Sequence, residues 1–366
     1  MTLSAILLFI FSLFGDSLLD RISPQEVTLL FAGDAMQHKP QCDAALQKDG
    51  SYDFNHCFEP IAPYVKSADY AVVNLETPLA GKPYSGYPCF CAPDSYAAAL
   101  KNAGFDMCMT ANNHTLDRRD KGLRRTIKVL DSLKIDHLGT YSNKAEREHN
   151  LPYIKNIKGI RVGFLNYTYG TNGIPVQGDV VVDFIDKKQM AHDIEQLRMS
   201  GADIITVVIH WGVEYVMLPN AEQKQLADFL CKQGVDLIIG GHPHVIQPME
   251  IRHNDEYDKD CLVVYSLGNF ISNQKKRDTK GGAMVEVTVQ RDLGGRVHLK
   301  AADYSLVFCQ QPQNGSRLYK VVPVEECEAP WKAMCNEFES SAMKILDKHN
   351  INVNRKSAAI YSESKN

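Results

Sequence analysis

The sequence predicts a layered α/β fold, a mixed β-sheet architecture with helices on its faces, and three observations predict it. First, seven apolar runs rich in Val and Ile and bounded by Gly, Asn, Asp or Pro read as buried strands: residues 27–32, 70–74, 105–110, 161–167, 204–210, 235–239 and 262–266. Second, helical patterns lie between many of these runs, and strands alternating with helices argue for sheets covered on their faces. Third, the chain has 366 residues, 44% hydrophobic and 23% charged, which suffices for a sizeable core in roughly two domains or one large one. That balance excludes disorder, collagen, a coiled coil and a small disulfide scaffold as whole-chain answers.

The elements follow in chain order. Residues 2–14 (TLSAILLFIFSLF) are almost wholly apolar but too short for a bilayer span, which needs about 20 residues. They fit the apolar region of a signal peptide, although no Lys or Arg precedes them and Gly15-Asp16-Ser17 is a poor cleavage site. The expectation is an exported protein (periplasmic, cell-surface or membrane-associated) with residues 1–22 as signal peptide; the alternative is a buried N-terminal helix. Residues 121–133 place Leu123, Ile127 and Leu130 on one helix face, and 189–199 and 222–232 also read as helices. Residues 153–167 read as a hairpin turning at Lys158-Gly159. The pair Ile154/Val162 and the run 282–289 suggest antiparallel strands in a mixed sheet. Residues 275–280 form a polar loop, and the alternation of Val285, Val287, Val289, then Val297 and Leu299, predicts terminal strands. A helix is expected over 325–349 with a loose polar tail.

Lys plus Arg is 40 and Asp plus Glu 44, a net charge of −4, so nothing points to a nucleic-acid footprint. An acidic polymer would have to be held by a local site or a metal rather than by the overall field. Ten cysteines are too scattered to pair by spacing; Cys108 and Cys231 read as buried thiols, and others could form disulfides in an exported chain.

Polar, metal-capable residues recur just after the apolar runs: Gly33-Asp34-Ala35-Met36, Asn74-Leu75-Glu76, Asn112-Asn113-His114 with Asp117, His210-Trp211-Gly212 with Glu214, Gly240-Gly241-His242-Pro243-His244, and Ser266 to Phe270. In open α/β sheets ligands bind beyond the carboxyl ends of the strands, so groups remote in sequence can converge. Carboxylates (Asp34, Glu76), an amide (Asn113) and imidazoles (His114, His210, His242, His244) make a mixed N/O set that suits Zn, Mn or Fe better than Mg or Ca. Each piece alone has an ordinary structural reading: a turn at Gly33-Asp34, a helix cap at Asn112-Asn113 or Asp117, packing at Trp211. His38, His56, His137, His149, His192, His253, His298 and His349 are read as surface or capping residues. The ordered set is stronger than its parts.

GDAM, NLETPL, ANNHTLD, HWGVEY, GGHPHVIQPME and SLGNF, in that order, resemble the bacterial CapA/PgsA family of capsule synthesis proteins, associated with poly-γ-glutamate. The resemblance covers residues 26–273, and that family is itself similar to calcineurin-like metallophosphoesterases. It implies a two-layered sheet sandwich flanked by helices, with 274–325 completing the domain and 326–366 as C-terminal helix and tail. It implies one or two divalent ions. By position, Asp34, Asn113, His210, His242 and His244 match metal ligands, Glu76 the bridging carboxylate, and His114 the histidine that protonates the leaving group. Two residues depart from the phosphoesterase pattern: Met36 stands where such enzymes carry a His, and Glu76 replaces an Asp. Thioether is a poor ligand for a hard ion, so a mononuclear centre is a live expectation, and His38 could substitute only if its loop curls back.

Two functions follow. One is hydrolysis of a phosphoester or γ-glutamyl-type bond, with His114 and Asp117 catalytic, Asp117 orienting His114, Glu214 orienting His210 or meeting substrate, and Asn269 in a substrate or supporting role. The other is an accessory protein that binds or guides an anionic capsule polymer alongside other capsule-assembly proteins. ATP-driven ligation ranks last, because the chain has no G-x-x-x-x-G-K-[ST] motif.

Overall fold

A computed structural model describes residues 25–313 and 316–356. The apolar segment 1–22 and the end of the tail lie outside the described residues. The first sheet runs β16 (Lys320–Pro323), β15 (Val297–Gln310), β14 (Gly281–Arg291), β1 (Gln25–Ala35), β2 (Tyr70–Leu75), β3 (Met107–Met109), β4 (Asp136–Leu138); β13 (Asn269–Ile271) pairs with the end of β1, and β17 (Asn354–Arg355) pairs with β15. The second runs β11 (Met249–Asn254), β12 (Lys259–Val264), β10 (Leu237–Gly241), β9 (Ile204–His210), β7 (Ile160–Thr168), β6 (Tyr153–Ile157). A short ladder joins β5 (Thr140–Tyr141) to β8 (Val181–Val182). Strands β1 to β4 are mutually parallel, as are β7, β9, β10 and β12, while β14 and β15 are antiparallel. Both sheets are therefore mixed, as expected.

Strand periodicity builds the layers. On β1, Leu29 and Phe31 face the second sheet and join Phe164, Val208, Ile239 and Val264 in the central core. Leu30 and Ala32 face the other way and pack with Tyr96, Leu100 and Leu130 of the helices Asp94–Ala103 and Arg119–Leu133. On β9, Ile204 and Val208 point inward, while Ile205, Val207 and Ile209 meet Ile194 and Leu230 of the helices Lys187–Met199 and Ala221–Lys232. The result is helix, sheet, sheet, helix. Each buried Leu, Ile or Phe contributes about 1.5–3 kcal/mol.

The 153–167 hairpin forms as read, with Lys158 at φ 46° and Gly159 at φ 88° in the turn. Other boundaries differ for local reasons. The third run shrinks to β3 because Phe105 follows the left-handed helix end at Gly104, and the Asp106 carboxylate accepts from the Ala71 amide. The C-terminal helix starts at Lys332, not 325: Val324–Glu326 is a 3-10 turn and Pro330 precedes the helix. Asp117 does not cap the helix that begins at Arg119; Arg118 occupies that position.

One ion-pair cluster ties the helix Lys144–Asn150 to both the short ladder and the second sheet. Arg147 donates through Nε to Asp183 and through Nη2 to Asp193, each at 2.5 Å, and Tyr167 donates its hydroxyl to Asp193 at 2.8 Å. Both carboxylates are buried. Arg147→Met strands two charges in the core, and the expected loss is on the order of 3–5 kcal/mol by denaturant titration. A loss below about 1 kcal/mol would show that water reaches these carboxylates.

Candidate metal centre

Strand phase aims the ligands. On β2 the even positions Tyr70 and Val72 face the second sheet, so Asn74 and, one step beyond the strand, Glu76 do too. On β1 the even positions face the outer helices, which would turn Asp34 away. A register shift between Ala32 and Asp34 reverses the phase, and Ala35 then falls in the outer cluster. Gly33 permits this shift: a Cβ there would lie 2.0 Å from the Gly268 carbonyl oxygen. Asp34 thereby reaches the rim between the sheets, where β9 ends in His210 and β10 leads into His242 and His244.

The side chains converge as the sequence predicted. Asp34 Oδ2 lies 3.2 Å from His244 Nδ1 and accepts from the His242 amide at 3.2 Å, and its Oδ1 accepts from Asn74 Nδ2 at 2.8 Å. Glu76 Oε1 lies 3.7 Å from His210 Nε2 and 3.9 Å from His244 Nε2. Asn113 Oδ1 sits 2.8 Å from His210 Nε2. The rings of His210 and His242 are 4.9 Å apart, and those of His242 and His244 5.9 Å. All six are buried. Two donor sets each gather within 4.8 Å: Asp34, Glu76 and His244, and Glu214, His242 and His244, with His244 common to both.

The protonation states suit a cation. Burial raises the Asp34 carboxyl, but the His244 hydrogen bond, the neighbouring His210 and His244 rings and the Asn74 hydrogen bond overcome it and hold it at about 2. Burial, with the neighbouring His244 ring next, brings His242 down to about 3, and burial and the His242 ring put His210 well below the usual range. An ionised carboxylate and neutral imidazoles are the forms that bind metal. Glu76 is the exception: burial, then the charges of Asp34, Glu214 and Asp117, push it well above the ordinary range. Glu76 Oε1 and His242 Nδ1 are buried with no hydrogen-bond partner, an arrangement worth about 1–3 kcal/mol of penalty per atom in an empty core. A divalent ion among these donors would satisfy both atoms and neutralise the crowded carboxylates, so the residues present fit one.

His114 stands beside this set. Its Nδ1 lies 2.7 Å from Asp117 Oδ2, which also accepts from the Phe90 amide at 2.6 Å, and the Phe90 ring packs edge-on against the imidazole at 4.5 Å. Asp117 thus lies in hydrogen-bond contact with His114. Glu214, expected to orient His210 or meet substrate, groups with His242 and His244, where Gly212 and Tyr215 (φ 84° and 65°) turn its loop toward Pro243, whose carbonyl accepts from the Tyr215 amide. Asn269 is a supporting residue: its Oδ1 meets His244 Nδ1 at 3.1 Å, while its amide donates to Ser272, Gln274 and Thr279. His38 stays outside the cluster. Its Nδ1 already accepts from the Asn273 amide at 3.2 Å, and burial brings its pKa down to about 4. Met36 is buried, and its backbone oxygen takes the Tyr96 hydroxyl.

Four neighbours went unassigned in the sequence. Asn74 and Asn112 lie inside the quoted motifs: Asn112 Nδ2 donates to Asn74 Oδ1 at 3.1 Å, bracing the ends of β2 and β3 together. Tyr169 covers His242 at 4.6 Å between rings, and Asn172 accepts from Asn113 Nδ2 at 3.2 Å. Both come from the loop after β7, outside the quoted motifs.

A family model described as bacterial capsule synthesis protein PGA_cap matches residues 28–274. The sequence is 29% identical over 279 residues to the capsule biosynthesis protein CapA of Bacillus anthracis, covering 72% of this chain and 64% of that protein. It is 25% identical over 288 residues to the PGA biosynthesis protein CapA of Bacillus subtilis, covering 75% and 70%. The match thus spans less than two thirds of the Bacillus anthracis protein's length. Among solved structures, the NAD nucleotidase of Haemophilus influenzae aligns at a TM-score of 0.49 and 13% identity, covering 94% of this chain and 60% of that one.

Proposed function

The chain belongs to the bacterial capsule synthesis protein family, and on that premise we propose that its strand-end cluster is a divalent-metal hydrolase site, acting on a phosphoester or γ-glutamyl-type bond of an anionic capsule polymer or its precursor, in an exported protein that works beside other capsule-assembly proteins. The observation that carries the reading is the meeting of six buried donors from two sheets around two unpartnered atoms, Glu76 Oε1 and His242 Nδ1.

Asp34, Glu76, Asn113, His210, His242 and His244 would hold the ion or ion pair, with Glu214 beside the last two. When bound, a Zn, Mn or Fe ion supplies Lewis acidity and a nucleophile at neutral pH. The chain's own part is orientation and proton delivery. Asp117 accepts from Nδ1 of His114 and orients the ring, and Nε2, once it carries a proton, would give that proton to the departing oxygen or nitrogen. Phe90 shields one side of that ring, and Tyr169 shields His242.

The test is turnover of a panel of phosphoesters and γ-glutamyl peptides by the full chain loaded with each metal. His114→Gln is expected to lower kcat by about 10²–10⁴-fold with metal content unchanged. Absence of turnover across the panel, joined to undiminished polymer production in cells carrying Asp34→Asn/His242→Ala, would replace catalysis with the accessory reading, in which the protein guides an anionic polymer.

A further inference from the structure

Cys231 lies in the last turn of the helix Ala221–Lys232, and Cys261 lies in β12. Both side chains belong to the apolar cluster between that helix and the outer face of the second sheet, among Leu230, Val235, Ile238 and Val263. Their sulfur atoms are 2.7 Å apart. Non-bonded heavy atoms settle at about 3.5–4.0 Å, whereas a disulfide draws sulfurs to about 2.0 Å. The two sulfurs therefore already sit closer than two separate thiols rest.

We propose that Cys231 and Cys261 are a modification site that takes a disulfide bond, formed by exchange with a small or protein disulfide such as oxidised glutathione. The Cys231 thiolate attacks the donor disulfide, forming a mixed disulfide and releasing one thiol. The Cys261 thiolate then attacks the Cys231 sulfur, closing the intramolecular bond and releasing the second thiol. Two protein thiols are oxidised, one donor disulfide is reduced to two thiols, and the protons pass to the thiols released. Cys231 is the entering partner because it is the more accessible, 9% exposed against 1% for Cys261. The hydrogen bond from Cys261 also draws the Cys231 thiol below its ordinary range, while burial raises Cys261. The two residues are 30 apart in sequence and bracket β10 together with His242 and His244, so the bond staples the base of the segment that carries two of the cluster's imidazoles.

The full chain is equilibrated with oxidised glutathione, denatured, alkylated and mapped by mass spectrometry of a non-reduced digest. The expected result is a linked peptide pair containing Cys231 and Cys261, lost on reduction, and a thermal midpoint that drops by roughly 3–6 °C when the bond is reduced. Cys231→Ser/Cys261→Ser is expected to abolish that reductant response; Cys231→Ala/Cys261→Val, which suits the apolar surroundings, serves the same purpose if the serines prevent folding. Full alkylation of both cysteines after glutathione treatment, or a reductant response that persists in the double variant, overturns the proposal.

Discussion

Asp34→Ala is expected to lower affinity for Zn²⁺ or Mn²⁺ by at least about 100-fold in titration calorimetry, since loss of a mere supporting contact to a ligand already costs about 10–100-fold. Asp34 is the junction of the cluster. Its two oxygens meet Asn74, His244 and the His242 amide, so its removal takes away a charge and frees residues of both sheets. The thermodynamic echo is measurable without any substrate. At a metal concentration 100 times the dissociation constant, the wild type gains about 2.7 kcal/mol of stability, and the variant almost none. Asp34→Asn separates charge from shape: it keeps the hydrogen-bonding volume and is expected to fall nearly as far as alanine. Metal binding by Asp34→Ala at wild-type strength would remove the centre from this rim.

Gly33→Ala is expected to cost on the order of 3 kcal/mol or more in denaturant unfolding, or to prevent folding altogether. The added carbon would meet a backbone oxygen, that of Gly268 at 2.0 Å, and backbone cannot rotate aside as a side chain does. The same contact point carries the Asp34 amide, which donates to the Gly268 carbonyl at 3.0 Å, so relief of the clash moves Asp34 away from His244. Gly170→Ala is the matched control: a Cβ there meets nothing within 4 Å, and its effect should stay within about 0.5 kcal/mol. Equal behaviour of the two variants would show that β1 can part from the strand exit at Gly268 without loss.

The candidate ligands are legible in the sequence because chemistry and periodicity coincide at strand ends. Asp34, Glu76, Asn113, His210, His242 and His244 each follow a run whose burial the composition already announces, and the structure gathers all six. Orientation was less readable. Strict alternation along β1 turns Asp34 outward, and only the register shift at Gly33, a property of three-dimensional pairing, turns it back. The grouping of Glu214 with His242 and His244 is not legible in the sequence, because a loop's path through left-handed Gly212 and Tyr215 leaves no periodic trace. The helix Lys39–Ala45 was missed for a related reason: its apolar content is low, and it is fixed by the His38 amide donating to Gln41 Oε1 at 2.8 Å and by a proline in its first turn. Tyr169 and Asn172 were invisible because they act by position alone.

Asp34, Glu76 and Asn113 lie on or just beyond strands of one sheet, and His210, His242 and His244 on or just beyond strands of the other. Neither half alone offers a full donor set, and an unfolded chain scatters the donors across most of its length. A cation held here would act as a fastener at one rim of the sandwich, drawn tight only after both sheets have met. Loading with metal would then report assembly of the whole molecule, and stripping it would loosen the rim before the apolar interior between the sheets gives way.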